Sequence, residues 1–162
     1  MENRSLFNQY EFVRHVLLHN LNDVSEEMAQ EIPDGFPHHL LWQAGHVYVS
    51  LEQIVFHFSG EPVNIPEGYA ELFQKGTRPS EWTKEPPSLE EIKNILQEQM
   101  YRVKETFENR LDEKIAQPFE AGPLKLETIG ELLLFSLFHE SEHNGCIKGI
   151  KNGLKMKEVI GE

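Results

Sequence analysis

Apolar residues recur at Leu6, Tyr10, Val13, Leu17, Leu21, Val24 and Met28, a three-and-four spacing that lays one apolar stripe along a helix. The pattern predicts an amphipathic helix from about Arg4 to Ala29, ended by Pro33, Asp34 and Gly35. A second helix is expected to begin near Pro37, because proline is tolerated in a first turn, and to run to Ser59 before Gly60. Its apolar stripe reads Leu40, Ala44, Val47, Leu51, Val55 and Phe58. A second stripe, His39, Gln43, His46, Ser50, Gln53 and His57, is polar yet uncharged at neutral pH, and Glu52 is the only formally charged residue between Pro37 and Ser59. A helix so poor in charge is expected to be buried on most sides, and a neutral polar stripe there needs partners or a water-filled pocket.

Residues 60 to 87 are rich in proline and too long for a tight turn. They read as a crossover connection with a short helix near Tyr69 to Gln74, anchored by Trp82. Ser88-Leu89-Glu90-Glu91 has the form of a capping box and opens a third helix, whose buried face is Leu89, Ile92, Leu96, Met100, Val103, Phe107 and Leu111. Gln117 to Lys125 is expected to be a loop with a short hairpin. A second capping box, Thr128-Ile129-Gly130-Glu131, opens the last helix, with Gly153 at its C-cap and Lys148 and Lys151 in its last turns. The sum is an all-α single domain over residues 1–162: an up-down-up-down four-helix bundle with a long crossover between helices 2 and 3.

The charge narrows the choice of partners. Twenty-seven acidic residues against 15 basic ones give a formal net charge of -12, which argues against nucleic acid and against an anionic membrane surface. One cysteine excludes an internal disulfide framework and fits a reducing cytoplasm, and no stretch is apolar enough for a leader or a membrane span.

The candidate chemistry lies in the last helix, where Leu132, Ser136, His139, His143, Cys146 and Ile150 fall on one stripe. Histidines four residues apart stand one above the other on a helix face and suit chelation of one metal ion. His46 on the second helix is the expected third ligand, with His39 or His57 next in line, and Gln43, Ser50 and Gln53 are expected to line the approach. Neutral imidazole suits zinc, nickel, copper or iron. His139-Glu140-Ser141-Glu142-His143 also matches the H-E-x-x-H motif of metalloproteases, with Glu140 as general base. That reading lacks a downstream ligand other than Glu158 or Glu162, and a strand edge for a peptide. Glu140 is expected to point away from the histidines into solvent.

His46 together with His139-x-x-x-His143-x-Gly145-x-Ile147 resembles the DinB/YfiT-like family of metal-binding four-helix bundles over nearly the whole chain. The resemblance implies a metal site of His46, His139 and His143, an ion such as zinc or nickel, and homodimers. It also implies an activity, since characterised relatives include S-transferases and isomerases that use low-molecular-weight thiols such as bacillithiol. Partners would then be a small thiol and an electrophile. A non-catalytic metal-binding or ligand-binding bundle needs the same ligands. Members commonly carry glutamine where this chain has Cys146, for which a pocket-lining role is expected ahead of metal ligation. The low charge of helix two suggests it as the dimer face.

Overall fold

The structure is a computed structural model that describes residues 3–160. Its elements are, in order, α1 (Asn3–Leu21), α2 (Glu26–Ala29), α3 (Leu40–Leu51), a π-helical turn (Glu52–Phe56), α4 (His57–Ser59), α5 (Tyr69–Phe73), a 3₁₀ turn (Pro79–Glu81), α6 (Leu89–Phe107), β1 (Lys114–Ala121), β2 (Leu124–Thr128) and α7 (Ile129–Ile160). The fold is mainly helical. α1 and α3 each pack against both α6 and α7, and the β1–β2 hairpin leans on α4 and α7.

The first predicted helix divides in two. Ser25 is extended, and its hydroxyl accepts a hydrogen bond from Met28 N at 3.1 Å, so a new helix starts where continuation to Ala29 was expected. Arg14, four residues beyond Tyr10 and three before Leu17, lies on the buried stripe, while Val13 is only half-buried.

α3 begins at Leu40 rather than near Pro37, because His39 is its cap: the backbone there is extended and Nδ1 accepts from Trp42 N at 3.0 Å. Every residue from Leu40 to Glu52 is buried within the single chain. The scarcity of charge in helix two therefore reflects its place in the core, and the premise for making it a dimer face is gone. The π-helical turn inserts an extra residue's rotation after Leu51, so the predicted polar stripe leaves the core. Gln53 is consequently half-buried and His57 exposed. Gly60 closes the helix with φ +78°, as the sequence indicated.

Residues 60–88 pass from the second long helix to the third through α5, and Trp82 Nε1 donates to Leu72 O at 3.0 Å, which anchors the connection. At the start of α6, Ser88 Oγ accepts from Glu91 N at 3.1 Å, while the Glu91 carboxylate is taken by Tyr69 Oη at 2.6 Å. The hairpin is longer than Gln117 to Lys125: Lys114 pairs with Thr128 and Ala121 with Leu124 around Gly122, at φ +58°.

Both arms of the α7 capping box are present, with Glu131 N on Thr128 Oγ1 at 3.3 Å and Thr128 N on Glu131 Oε2 at 3.0 Å. α7 continues through Gly153 to Ile160 instead of ending there. Leu154 extends the buried stripe, and Lys151 and Lys155 pair with Asp23 in the α1–α2 turn, which holds the extra turns against the body of the fold. Among the described residues no helix is long and apolar enough to cross a membrane.

The core has two apolar regions, one around Leu17, Leu40, Val47, Ile92 and Ile150, the other around Phe7, Val55, Phe56, Phe107 and Leu132. Through it runs a buried polar chain. Glu140, expected in solvent, is 1 % exposed and takes Arg14 Nε at 2.6 Å and Nη2 at 2.9 Å. Arg14, 2 % exposed, also donates to Leu96 O, and Gln99 continues the chain to Glu52 Oε1 at 2.7 Å and Tyr48 O at 3.0 Å. Arg102 completes it on Glu52. The expectation failed because a carboxylate is solvated only when no cation is buried opposite it, and Arg14 is. Burial alone would lower the Arg14 pKa, but the charge and hydrogen bonds of Glu140 outweigh it, and the net shift is upward.

Candidate metal centre

Glu140 and Asn144 occupy the centre of the α7 core stripe with Leu133, Ser136 and Ile147, which turns His139 and His143 to its edge, half-buried. From there they face α3. His46 on α3 is buried, its ring centroid 4.7 Å from that of His143 and 5.2 Å from that of His139. One ring nitrogen from each of His46, His139 and His143 lies within 4.8 Å of the others, so the three can hold a metal ion.

Which nitrogens converge follows from what the other ring nitrogens do. His46 Nδ1 donates to Phe73 O at 2.6 Å, leaving Nε2 as the lone-pair atom. His143 Nδ1 lies 2.5 Å from Gln43 Oε1, an acceptor only, so it carries the proton and Nε2 again is free. His143 Nε2 stands 3.2 Å from His139 Nε2, and Ser50 Oγ lies 3.2 Å from His46 Nε2. Metal-ligating histidines characteristically give their second N–H to a carbonyl or carboxylate oxygen, which fixes tautomer and ring orientation. Two of the three do so here.

The electrostatics favour neutral rings. Burial, with help from His139 and His46, pushes His143 down to about 3. Burial lowers His46 to about 4 against the opposing pull of the Phe73 carbonyl, and His139, His38 and Lys75 add to the lowering. His139 is lowered by burial and then by Lys75. All three imidazoles are therefore unprotonated at neutral pH and present lone pairs.

The position of the His46 ring comes from close packing. Gly45 lets α5 approach α3 so tightly that a Cβ there would lie 2.4 Å from the Phe73 ring, and this approach delivers Phe73 O to His46 Nδ1. On its other side Trp42 stacks on His46 at 4.5 Å between centroids and 10° between planes, and His38 stacks on Trp42 at 3.6 Å. Trp42 Nε1 is held by Thr77 Oγ1 at 2.9 Å and His38 Nε2 lies 3.0 Å from Thr77 O, so one turn after α5 fixes the stack.

The residues expected around the site separate. Gln43 and Ser50 touch ligand rings. Gln53 is carried aside by the π-helical turn. Cys146 is exposed, and among the described residues the group of converging ligand atoms contains only the three histidines. Cys146 stands three positions past His143, where the helix turns toward solvent while Ile147 takes the core position. His39 is committed to capping α3, and His57 is exposed. Gly145 has nothing within 4 Å of an added Cβ, so packing does not require a glycine there. Sequence reasoning missed Trp42, His38, Phe73 and Thr77. The spacing His38, Trp42, His46 at successive fours was the available signal.

The chain matches the family model of the DinB superfamily over residues 9–147, a span that contains all three histidines. No curated protein gives a match.

Proposed function

This chain belongs to the DinB superfamily, and from that premise we propose that it is a metal-dependent enzyme using a low-molecular-weight thiol, a bacillithiol-type S-transferase, with one zinc or nickel ion held by Nε2 of His46, His139 and His143. The observation that carries the reading is the convergence of three neutral imidazoles, two of them with Nδ1 already given to an oxygen. Held by these three histidines, such an ion would supply Lewis-acid chemistry that favours the deprotonated form of a thiol at neutral pH.

The protein's own groups supply the rest. Phe73 O and Gln43 Oε1 hold the tautomers of His46 and His143, the Trp42 stack fixes the His46 plane, and the Ser50 hydroxyl stands beside Nε2 as a polar contact for an incoming ligand. The hydrolase reading loses its general base, because both oxygens of Glu140 are engaged by Arg14 in the core. The four long helices are read as an up-down-up-down bundle with residues 60–88 crossing between the second and third. The same reading takes the protein as cytoplasmic, since one cysteine and a thiol co-substrate both fit a reducing compartment, with an electrophile as the second partner.

Incubation of the metal-loaded protein with bacillithiol and monochlorobimane tests the activity. Conjugate fluorescence is expected to rise faster than with metal-free protein, and to fall to the uncatalysed rate in His143→Ala. Equal rates with loaded and metal-free protein contradict the enzyme reading.

A further inference from the structure

The two helices that carry the histidines are joined behind the site by hydrogen bonds as well as by apolar packing. On α7, Glu140 stands between His139 and His143 in sequence and faces the core, where Arg14 of α1 binds it at 2.6 and 2.9 Å. One turn further, Asn144 Oδ1 accepts from Asn20 of α1 at 2.7 Å. Arg14 also donates to Leu96 O and reaches Gln99 Oε1 at 3.4 Å, both on α6. Gln99 Nε2 then donates to Tyr48 O on α3 at 3.0 Å and to Glu52 Oε1 at 2.7 Å. One polar chain thus touches all four long helices. At either end it lies within two residues of a ligand in sequence, at His139 and His143 on α7 and at His46 on α3.

Arg14, Glu140 and Gln99 are all buried, so the chain is costly to place in the core. A buried ion pair is weak evidence for stability, because apolar side chains of similar volume often serve as well; its best-attested use is to fix register. Apolar contacts are non-directional and allow neighbouring helices to repack. Hydrogen bonds require a distance and an angle. A metal centre needs that precision, because its donors must be held close to the productive geometry by the groups behind them.

We propose that Arg14 and Gln99 are positioning residues for the metal centre. The chain through them fixes the rotation and register of α7 against α3, and so sets the imidazole nitrogens of His46, His139 and His143 around one ion. The proposal rests on the metal half of the reading above and is independent of the thiol.

The test compares two variants with the parent. Arg14→Met/Glu140→Leu removes the charged end of the chain and leaves no charge unpaired. Gln99→Met cuts its middle, while Glu52 keeps Arg102 and Asn64 N. Zinc affinity is measured by chelator competition and coordination geometry by the cobalt(II) absorption spectrum at saturation, with circular dichroism showing that the helices are intact. Zinc affinity is expected to fall about tenfold in both variants, and the cobalt bands to shift or broaden. Phe107→Leu, in the apolar region that contains none of the site residues, is the control. It should lower the urea midpoint and leave affinity and spectrum as in the parent. Zinc affinity within about twofold of the parent, with an unchanged cobalt spectrum in a helical variant, overturns the positioning role and leaves the metal centre standing. So does a Phe107→Leu protein that loses as much zinc affinity as Gln99→Met, because stability alone would then set the affinity. Gln99→Met, which unpairs no charge, decides the matter if the double variant loses its helical signal. A parent protein that takes up no zinc overturns the metal reading and the proposal with it, and that result is read on the parent alone.

Discussion

Replacing Glu140 by glutamine separates two accounts of the H-E-x-x-H sequence. In a metalloprotease the substitution removes a general base and leaves stability nearly unchanged. Here it removes the charge opposite Arg14, whose guanidinium is 2 % exposed and bound at 2.6 and 2.9 Å by the Glu140 carboxylate. Breaking one side of a buried pair costs roughly 3–5 kcal/mol, because the remaining charge is left uncompensated. Glutamine still offers one acceptor oxygen, and Arg14 keeps Leu96 O and Gln99, so the lower end, about 3 kcal/mol, is expected. With a urea m-value of about 2 kcal/mol/M, the midpoint should fall by about 1.5 M with m unchanged. Arg14→Met/Glu140→Leu should cost less than Glu140→Gln alone, since no unpaired charge remains. Urea unfolding followed by circular dichroism gives the midpoints. A Glu140→Gln midpoint within about 0.5 M of the parent, equivalent to about 1 kcal/mol, would refute the structural role.

Gly45→Ala drives a methyl to within 2.4 Å of the Phe73 ring, so α5 must shift and Phe73 O must leave His46. Stability should fall by about 1–3 kcal/mol, and zinc affinity by about tenfold or more in a chelator competition; an unchanged affinity contradicts the orienting role of Phe73. The metal-free protein should lose stability on acidification. His39 and His46 are held at about 4 and His143 at about 3 in the folded state, against about 6.5 unfolded. Below pH 6.5 the unfolded chain therefore binds more protons, and stability that is full above that pH declines toward pH 4, by about 1–2 kcal/mol per histidine at pH 5. Urea midpoints that stay flat between pH 7 and 5 count against neutral, buried rings. Cys146→Ser, at an exposed position, should leave zinc affinity within about twofold of the parent, since a lost thiolate ligand costs far more.

The helices were legible where periodicity alone decides them, as in α6 with Ile92, Leu96, Met100, Val103 and Phe107 all buried. So were the three histidines, because spacing of four on one helix and a charge-poor partner helix are both written in the chain. What escaped was the polar half of the core. Tyr10, Arg14, Leu17 and Leu21 keep perfect three-and-four spacing, as do Leu133, Ser136, Glu140, Asn144 and Ile147, but a rule that sends charge to solvent reads past both. The two exceptions solve each other across the fold, and neither is interpretable alone. The π-helical turn after Leu51 was invisible for a different reason. It changes register without changing composition, so Gln53 and His57 looked equivalent to Gln43 and His46. The contact of Phe73 O with His46 depends on one missing Cβ at Gly45, a tertiary fact with no local signature.

X-ray absorption at the zinc edge, on protein loaded with one equivalent, tests the central claim most directly. Three imidazole nitrogens at about 2.0–2.1 Å with one further light atom are expected, and no sulfur. A sulfur contribution near 2.3 Å, fewer than three imidazoles, or no retained zinc would contradict a centre built from His46, His139 and His143.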